Sequence, residues 1–392
     1  MIAKLDVDAI RRSLPVTQRL TYLNTGTAGP LPAPTVDVLA EAAKAEAERG
    51  RISPEGYQEL FDRLTELRTG LAAFVGAEPG EIAVSHNTTE GMNIGVWSLP
   101  WQPGDRVVTT TLEHPGALLP LYVLHHRFGV EVEFAEVGRG GRAETLEAMA
   151  KAIRPGTKLV VLSHVSWGTG AVLPLREIVD LAHAAGAVVL VDGAQSVGSI
   201  PVDMHADGAD FYAFSGQKWL CGPEGTGAIF VRADRMDRFT PAFVGGFGVK
   251  HDETYRPNDT EAFEFAQGAQ RFEVGSVYRP GIYGLRASVE WRSALGNGTF
   301  AAIAELAGHC LERVGELPGV EVLTPNQEPL SGLVAFRLPG VDVAKAVDSM
   351  AAAGVAIRSI PDNQALRISC GFFNTREEVD KALSLLEAFV RR

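Results

Sequence analysis

The sequence predicts an α/β protein in which helices cover both faces of a mainly parallel sheet. Between about residues 55 and 232, short runs rich in β-branched residues alternate with segments of helical period. Most of these runs are apolar throughout, which is typical of strands buried on both faces. The chain has 392 residues, 46% of them hydrophobic, which is enough for this sheet and a second, smaller domain.

The predicted strands and helices follow one another regularly through this region. Strands are expected at 81–85, 105–111, 130–137, 158–165, 187–192, 210–215 and 226–232. Helices are expected at 89–98, 116–128, 144–153 and 175–185. Strands separated by helices of this length form parallel sheets, because a crossover is needed to return the chain to the same edge.

The pattern changes after residue 232. Residues 233–275 are rich in glycine, acids and scattered aromatics, and we interpret them as a long functional loop. Helices are predicted at 279–296 and 299–316, and then strands at 332–338, 355–360 and 365–369, with a helix at "AVDSMAAAG" and another from 375. We therefore predict a segment 1–20 that packs with a small domain, a large domain 21–260, and a small α+β domain 261–392.

Composition argues against several classes of partner. The net charge of −12, with no lysine- or arginine-rich run, opposes nucleic-acid binding. No apolar stretch approaches the roughly 20 residues of a membrane span, and the amino terminus lacks a signal-peptide pattern, so we expect a cytoplasmic protein. Three widely spaced cysteines indicate neither a disulfide framework nor a metal site. A small-molecule partner is expected.

Polar residues follow several predicted strands, at the sheet edge where open parallel sheets bind ligands. Lys218 is the only amine among them and could hold pyridoxal phosphate (PLP) as a Schiff base. Asp192 could keep the pyridine nitrogen of the cofactor protonated, Gln195 could donate to its phenolic oxygen, and His114 could stack on its ring. The candidates for binding its phosphate are Thr88, Thr89, Ser215 and Gln217.

The segments that carry these residues resemble the class V aminotransferase family of fold-type I PLP enzymes, which includes the cysteine desulfurases. They are "NTTEGMN" (87–93), "LEHPG" (112–116), "VDGAQSVGSIPVD" (191–203), "SGQKWLCGPEGTG" (215–227), "RFEVGS" (271–276) and "LRISCGFFNT" (366–375). Within this family, "SHVSWGTGAVLPL" and the pair "VAIRSI" and "LRISC" are most similar to the cysteine/cystine C–S lyases. The resemblance implies a seven-stranded large domain.

The resemblance also implies roles for individual residues. Lys218 would be the Schiff-base lysine, with Asp192, Gln195 and His114 in the roles given above. Arg367 would bind the substrate α-carboxylate and Arg358 would be a second substrate arginine. Ser276 would reach the cofactor phosphate of a neighbouring subunit, which implies a homodimer. Asn24 and Trp167 are further candidates for the substrate pocket.

The sequence departs from the desulfurases at three places. Gln217 replaces a histidine, Trp167 replaces an asparagine, and no cysteine lies between Cys310 and Cys370, where a desulfurase has its nucleophile. Without that thiol, β-elimination to pyruvate, ammonia and a thiol or persulfide is the expected reaction on cysteine, cystine or a cysteine S-conjugate. An aminotransferase or epimerase, a desulfurase with an unrecognised thiol, and a non-catalytic module with this fold remain alternatives.

Overall fold

The computed structural model describes residues 5–250, 256 and 258–391. Its strands are β1 (Thr21–Tyr22), β2 (Ile82–Ser85), β3 (Arg106–Thr110), β4 (Glu131–Ala135), β5 (Thr157–Ser163), β6 (Val188–Asp192), β7 (Phe211–Ser215), β8 (Gly227–Val231), β9 (Glu321–Val322), β10 (Leu333–Arg337), β11 (Val355–Ala356), β12 (Arg358–Ile360) and β13 (Ala365–Ser369). Its helices are α1 (Val7–Arg12), α2 (Ala33–Arg49), α3 (Pro54–Val75), α4 (Thr88–Trp97), α5 (Pro115–Phe128), α6 (Arg142–Ala152), α7 (Leu175–Ala184), α8 (Met204–Asp207), α9 (Arg279–Ala294), α10 (Gly298–Gly315), α11 (Val343–Ala352) and α12 (Arg376–Val390).

The main sheet has seven strands in the order β2-β8-β7-β6-β5-β3-β4. All pairings from β7 to β4 are parallel, whereas β8 runs antiparallel to both of its neighbours. The prediction of a mainly parallel seven-stranded sheet is confirmed. Because β2 is antiparallel to β8 and β8 is antiparallel to β7, the carboxyl ends of β2, β3, β5, β6 and β7 all lie at one edge of the sheet.

Two apolar layers explain why the central strands contain almost no polar residues. On one face, Val160 and Val189 pack in the same cluster as side chains of α3, α6, α7 and α9. On the other face, Val161 and Leu190 pack in a cluster with side chains of α4 and α5. Alternate residues of each strand therefore enter different cores, and both must be apolar.

A second, antiparallel sheet has the order β12-β13-β10-β9. Its apolar face packs with side chains of α10, α11 and α12. The short strand β1 pairs in parallel with β11, and Arg11 of α1 donates to Glu378 of α12 at 3.0 Å. Through these contacts the N-terminal segment packs against the part of the chain that contains this sheet. The domain boundaries at 20/21 and 260/261 stay a prediction.

Three parts of the chain differ from the expectation or extend it. The long helices α2 and α3 precede the main sheet and were not predicted. The single strand expected at 355–360 is two strands, because β11 pairs with β1 while β12 pairs with β13. The loop 233–275 contains three short 3₁₀ helices and a bridge between Val249 and Phe265, and its residues 251–255 and 257 lie outside the described part. Among the described helices, none has both the length and the apolar character required to cross a membrane.

Candidate active site

Lys218 lies in the turn that leaves β7, at the sheet edge described above. The segment 26–29 lies against the backbone of this turn. Gly29 donates its N–H to the carbonyl of Gln217 at 2.7 Å, and a Cβ at Gly29 would come within 2.1 Å of the Lys218 carbonyl oxygen. Only glycine permits that approach. The turn is thus held against the segment 26–29, which fixes where the Lys218 side chain begins.

The environment of Lys218 favours the neutral amine. Burial, together with the charges of Arg367 and Arg358, lowers its pKa from 10.5 to about 8, against the opposing effect of the Asp192 carboxylate. Asp192 is the last residue of β6 and is buried. One of its oxygens accepts from the Ala194 N–H at 2.9 Å. The arrangement combines a desolvated amine with a buried acid at one sheet edge.

Three buried polar atoms without partners in the described chain lie near the start of α4 and the end of β7. Ser85 of β2 and Ser215 of β7 both pair with Gly227 of the intervening strand β8, so the start of α4 lies about two strand spacings, or about 10 Å, from the end of β7. The side-chain oxygens of Thr88, Ser215 and Gln217 are buried and have no hydrogen-bond partner among the described residues. Buried polar groups without partners are rare in folded proteins. Together with the helix N-terminus, they would suit a phosphate.

Gln195 is buried, and both ends of its amide have partners. Its Nε2 donates to the carbonyl of Gly26 at 2.8 Å, and its Oε1 accepts from the indole Nε1 of Trp219 at 2.9 Å. The amide nitrogen carries two hydrogens, so one N–H remains for another acceptor.

His114 caps the N-terminus of α5, where its Nδ1 accepts from the Gly116 N–H at 3.0 Å. That bond leaves Nε2 as the protonated nitrogen of the neutral ring. Burial lowers the pKa of His114, and Asp192 opposes the shift. Its ring stands edge-on to Trp167 with 5.2 Å between centroids. Thr89 of α4 lies beside this turn, because a Cβ at Gly116 would come within 2.5 Å of its Oγ1.

Two arginines on neighbouring antiparallel strands face the same residues. Arg358 of β12 and Arg367 of β13 are register partners, and both donate to Thr27 Oγ1, at 3.2 and 3.4 Å. Arg367 also donates to the Trp167 carbonyl at 3.0 Å, and the Arg358 guanidinium lies 5.8 Å from the Trp167 ring. Thr27 in turn donates to Asn24 at 2.8 Å.

Within the described chain neither guanidinium forms an ion pair with a carboxylate, and Nε of Arg367 has no partner. Burial and the neighbouring Arg358 lower the pKa of Arg367 to about 9. A buried cation of this kind suits an external carboxylate, because a planar guanidinium can bind both oxygens.

Comparisons with known proteins identify the family. Residues 21–382 match the family model described as aminotransferase class-V. The chain belongs to the class V aminotransferase family. A cysteine desulfurase of Haloferax volcanii is 32% identical, with 98% of this chain and 97% of the relative covered. A probable cysteine desulfurase of Methanothermobacter thermautotrophicus is 31% identical, with 96% of each covered.

Solved structures agree with this assignment. A complex of the cystine C–S lyase C-DES with its reaction product cysteine persulfide has a TM-score of 0.89 and 30% identity, covering 95% of this chain and 99% of that one. A C-DES variant with glycine covalently linked to its PLP cofactor gives the same score and identity, over 96% and 98%. An apo cysteine desulfurase from Thermococcus onnurineus has a TM-score of 0.88 and 28% identity, over 99% and 98%. The fold-type I prediction is confirmed.

The predicted site residues fall into two groups in this class V chain. Most of them lie at the one sheet edge or on β12, β13 and the loops that face it: Asn24, Thr88, Thr89, His114, Trp167, Asp192, Gln195, Ser215, Gln217, Lys218, Arg358 and Arg367. Ser276 is different, because it is exposed in the segment before α9 and makes no hydrogen bond to these residues in the described chain.

Three residues of the site were not recognised in the sequence. Thr27 joins the two arginines, and Trp219 holds Gln195, as described above. Glu113 is buried next to His114 and accepts from Thr110 and Ser163, both at 2.6 Å. Burial, with a smaller contribution from the charge of Asp192, raises the pKa of Glu113 from 4.5 to about 7 despite these two bonds. An acid in the i+3 position from a threonine that ends a strand was the available signal.

The residues present fit PLP. The unpartnered hydroxyls of Thr88 and Ser215 would donate to its phosphate, and the Gln217 amide would donate through its nitrogen. Asp192 would pair with its ring nitrogen, and Lys218, whose pKa responds to the charge of Asp192, would supply the amine. The amine, the acid and the phosphate donors that the cofactor requires would thus all come from one edge of the sheet.

Proposed function

We propose that this protein is a PLP-dependent C–S lyase that cleaves cysteine, cystine or a cysteine S-conjugate by β-elimination. Class V aminotransferases use PLP, so the cofactor follows from the family. The observation that carries the choice of reaction is the position of the cysteines. Cys221, Cys310 and Cys370 are all buried. A desulfurase would need a mobile thiol in the segment that precedes Arg367, and residues 311–369 contain no cysteine.

The cofactor and the side chains of the protein would contribute different parts of the reaction. When bound, PLP supplies an electron-withdrawing ring that stabilises negative charge at the substrate Cα. Lys218, with a pKa near 8, has a substantial neutral fraction at neutral pH and would accept the Cα proton. Loss of the sulfur group from Cβ then completes the elimination, and hydrolysis of the remaining three-carbon unit gives pyruvate and ammonia. Asp192 would keep the ring nitrogen protonated, and Gln195 would donate to the phenolic oxygen.

The two arginines support an amino acid substrate and favour cystine among the candidates. Arg367 would bind the α-carboxylate and Arg358 would bind a second acidic group further out. Cystine carries two carboxylates, whereas cysteine carries one. Asn24 and Trp167, which contact Thr27 and the arginines, would form the wall of the same pocket. His114 would lie against the cofactor ring on the Trp167 side.

A homodimer is part of the proposal. Ser276 is exposed beside apolar side chains that are also exposed, namely Val274 at 46% and Tyr278 at 62%. Burial of such residues against a second copy would be favourable. It would also let Ser276 reach the phosphate of the partner's cofactor. Three free thiols suit the reducing cytoplasm, which we keep as the proposed location.

One product analysis separates this proposal from its alternatives. Purified protein is incubated with PLP and then with cysteine, cystine or an S-conjugate, and the carbon product is identified. We expect pyruvate without any added keto acid. Alanine would instead indicate a desulfurase, which the names of the curated relatives make the second candidate. Turnover only with a keto acid would indicate an aminotransferase, and racemised substrate would indicate an epimerase.

Two lysine variants provide the matched control. Lys218→Ala should lose both pyruvate formation and the visible absorbance of lysine-bound PLP. Lys44→Ala removes an exposed lysine that pairs with Glu48, and it should keep both. Unchanged absorbance in the Lys218 variant would reject the assignment of the cofactor-binding lysine. If the wild-type protein gave no pyruvate, alanine or keto acid and left the substrate unracemised, the non-catalytic alternative would be favoured.

A further inference from the structure

Trp219 is fully buried directly after the candidate cofactor lysine, and its indole N–H points at the candidate cofactor glutamine. The Trp219 Nε1 donates to Gln195 Oε1 at 2.9 Å across 24 residues of sequence. On its other side, the Gln195 amide donates from Nε2 to the carbonyl of Gly26 at 2.8 Å. These three residues form a buried chain of hydrogen bonds beside Lys218.

The two partners of Gln195 determine which way its amide is turned. An indole N–H can only donate and a backbone carbonyl can only accept. The amide oxygen must therefore face Trp219 and the amide nitrogen must face Gly26, because the flipped amide would lose both bonds. Without Trp219, the Gly26 carbonyl alone would fix only one nitrogen hydrogen, and rotation about the side chain would no longer be opposed by the oxygen.

Trp219 is itself fixed by its surroundings. The buried cation Arg292 of α9 donates to the carbonyl of Trp219 at 3.2 Å and to that of Gly198 at 2.9 Å. The far edge of the indole lies against Gly332, where a Cβ would come within 2.4 Å of the ring. Glycine at that position leaves room for the ring, which any side chain would take away. The donor that faces Gln195 is thus held in one orientation.

We propose that Trp219 is a positioning residue that locks the Gln195 amide as a hydrogen-bond donor toward the phenolic oxygen of bound PLP. The inference rests on the proposed function, in which Gln195 makes that bond. A donor to the phenolic oxygen withdraws negative charge from it, and so weakens its hold on the proton of the neighbouring lysine-linked nitrogen. Trp219, through Gln195, therefore keeps the pKa of that nitrogen low.

The test measures the pH at which the visible absorbance of the lysine-bound cofactor changes. Trp219→Phe removes the N–H donor, and we expect this midpoint to rise by about one pH unit, the size of one lost bond to a charged acceptor. Gln195→Leu should raise it by a similar amount. The double variant should move no further than Gln195→Leu alone, because Trp219 acts only through that amide.

Two further proteins keep the test decisive. Trp101→Phe is the matched control, since Trp101 is also buried and donates its indole N–H to a backbone carbonyl, that of Val96, at 2.8 Å. Its midpoint should equal that of the wild type. If Trp219→Phe fails to fold, Trp219 is replaced by benzothienylalanine, which keeps the shape of tryptophan without the N–H, and the same rise is expected.

The outcomes separate this inference from the function on which it rests. No visible band in the wild-type protein with PLP would reject the proposed function. A wild-type band with an unmoved midpoint in the Trp219 variant would reject only the role of Trp219. Equal, additive shifts from Trp219→Phe in the wild-type and Gln195→Leu backgrounds would also reject it, because the tryptophan would then act by another route.

Discussion

The lowered pKa of Lys218 leads to a quantitative prediction about cofactor loading. Burial, together with Arg367 and Arg358, takes the pKa from 10.5 to about 8 against the opposing charge of Asp192. A lysine attacks the PLP aldehyde only as the neutral amine. At pH 7, a pKa of about 8 leaves about one amine in ten neutral, about 300-fold more than a solvent-exposed lysine would have.

The assay follows the loading of apoprotein by the growth of visible absorbance at subsaturating PLP between pH 6 and pH 10. The rate should rise about tenfold per pH unit at first and level off near pH 8. Asp192→Asn removes the group that raises the pKa of Lys218, so the midpoint should fall, while the bound cofactor dissociates faster. Asp180→Asn, in a surface pair with Arg176, should leave both unchanged. A rate that still climbs tenfold per unit above pH 9 would refute the reasoning.

Three further predictions concern other residues of the site. The folded Glu113 carboxyl keeps its proton to about pH 7, so the free energy of unfolding of the wild type should fall by up to about 3 kcal/mol as the pH rises from about 4.5 to 7. Glu113→Gln should abolish this fall. Denaturant unfolding at pH 5 and pH 8 measures it, and a fall of the same size in the variant would contradict the prediction. Arg367→Ala should raise KM at least about tenfold for every substrate, and Arg358→Ala chiefly for cystine; equal effects on cysteine and cystine would argue against a second carboxylate. Ser276→Ala should weaken PLP retention at unchanged dimer mass, and unaltered retention would remove Ser276 from the phosphate site.

The sheet could be predicted because its local pattern follows from burial. Each central strand packs against one apolar core on one face of the sheet and against another on the other face. Its residues are therefore apolar regardless of which strands pair with it. The split at residues 355–360 could not be predicted in this way. Its cause is that Val355 and Ala356 pair with Thr21 and Tyr22, more than 330 residues away, while Arg358 pairs with Arg367. Pairing across that separation leaves no signal in either segment alone.

The candidate site shows the same division. Lys218 and Asp192 could be recognised because each follows a buried strand, where a charged side chain has few reasons to occur. Glu113 had only a weak local signal, its spacing from Thr110, because its other partner, Ser163, ends a different strand that only the folded sheet brings close. In the sequence, Trp219 looks like an ordinary core residue. Its side-chain hydrogen bond forms only because the fold brings it next to Gln195, 24 residues earlier in the chain.

The charges of the site oppose the charge of the whole chain, and this contrast explains how a protein of net charge −12 could hold anionic ligands. Lys218, Arg358 and Arg367 stand near the carboxyl group of Asp192, and the other buried acid, Glu113, with its pKa near 7, is largely neutral below that pH. The surface charges are screened beyond about 8 Å at physiological salt, so the nearby cations dominate inside the pocket. A buried guanidinium such as Arg367 is costly unless an anion pairs with it. The electrostatics of the site would therefore favour the phosphate of the cofactor and the carboxylates of the substrate.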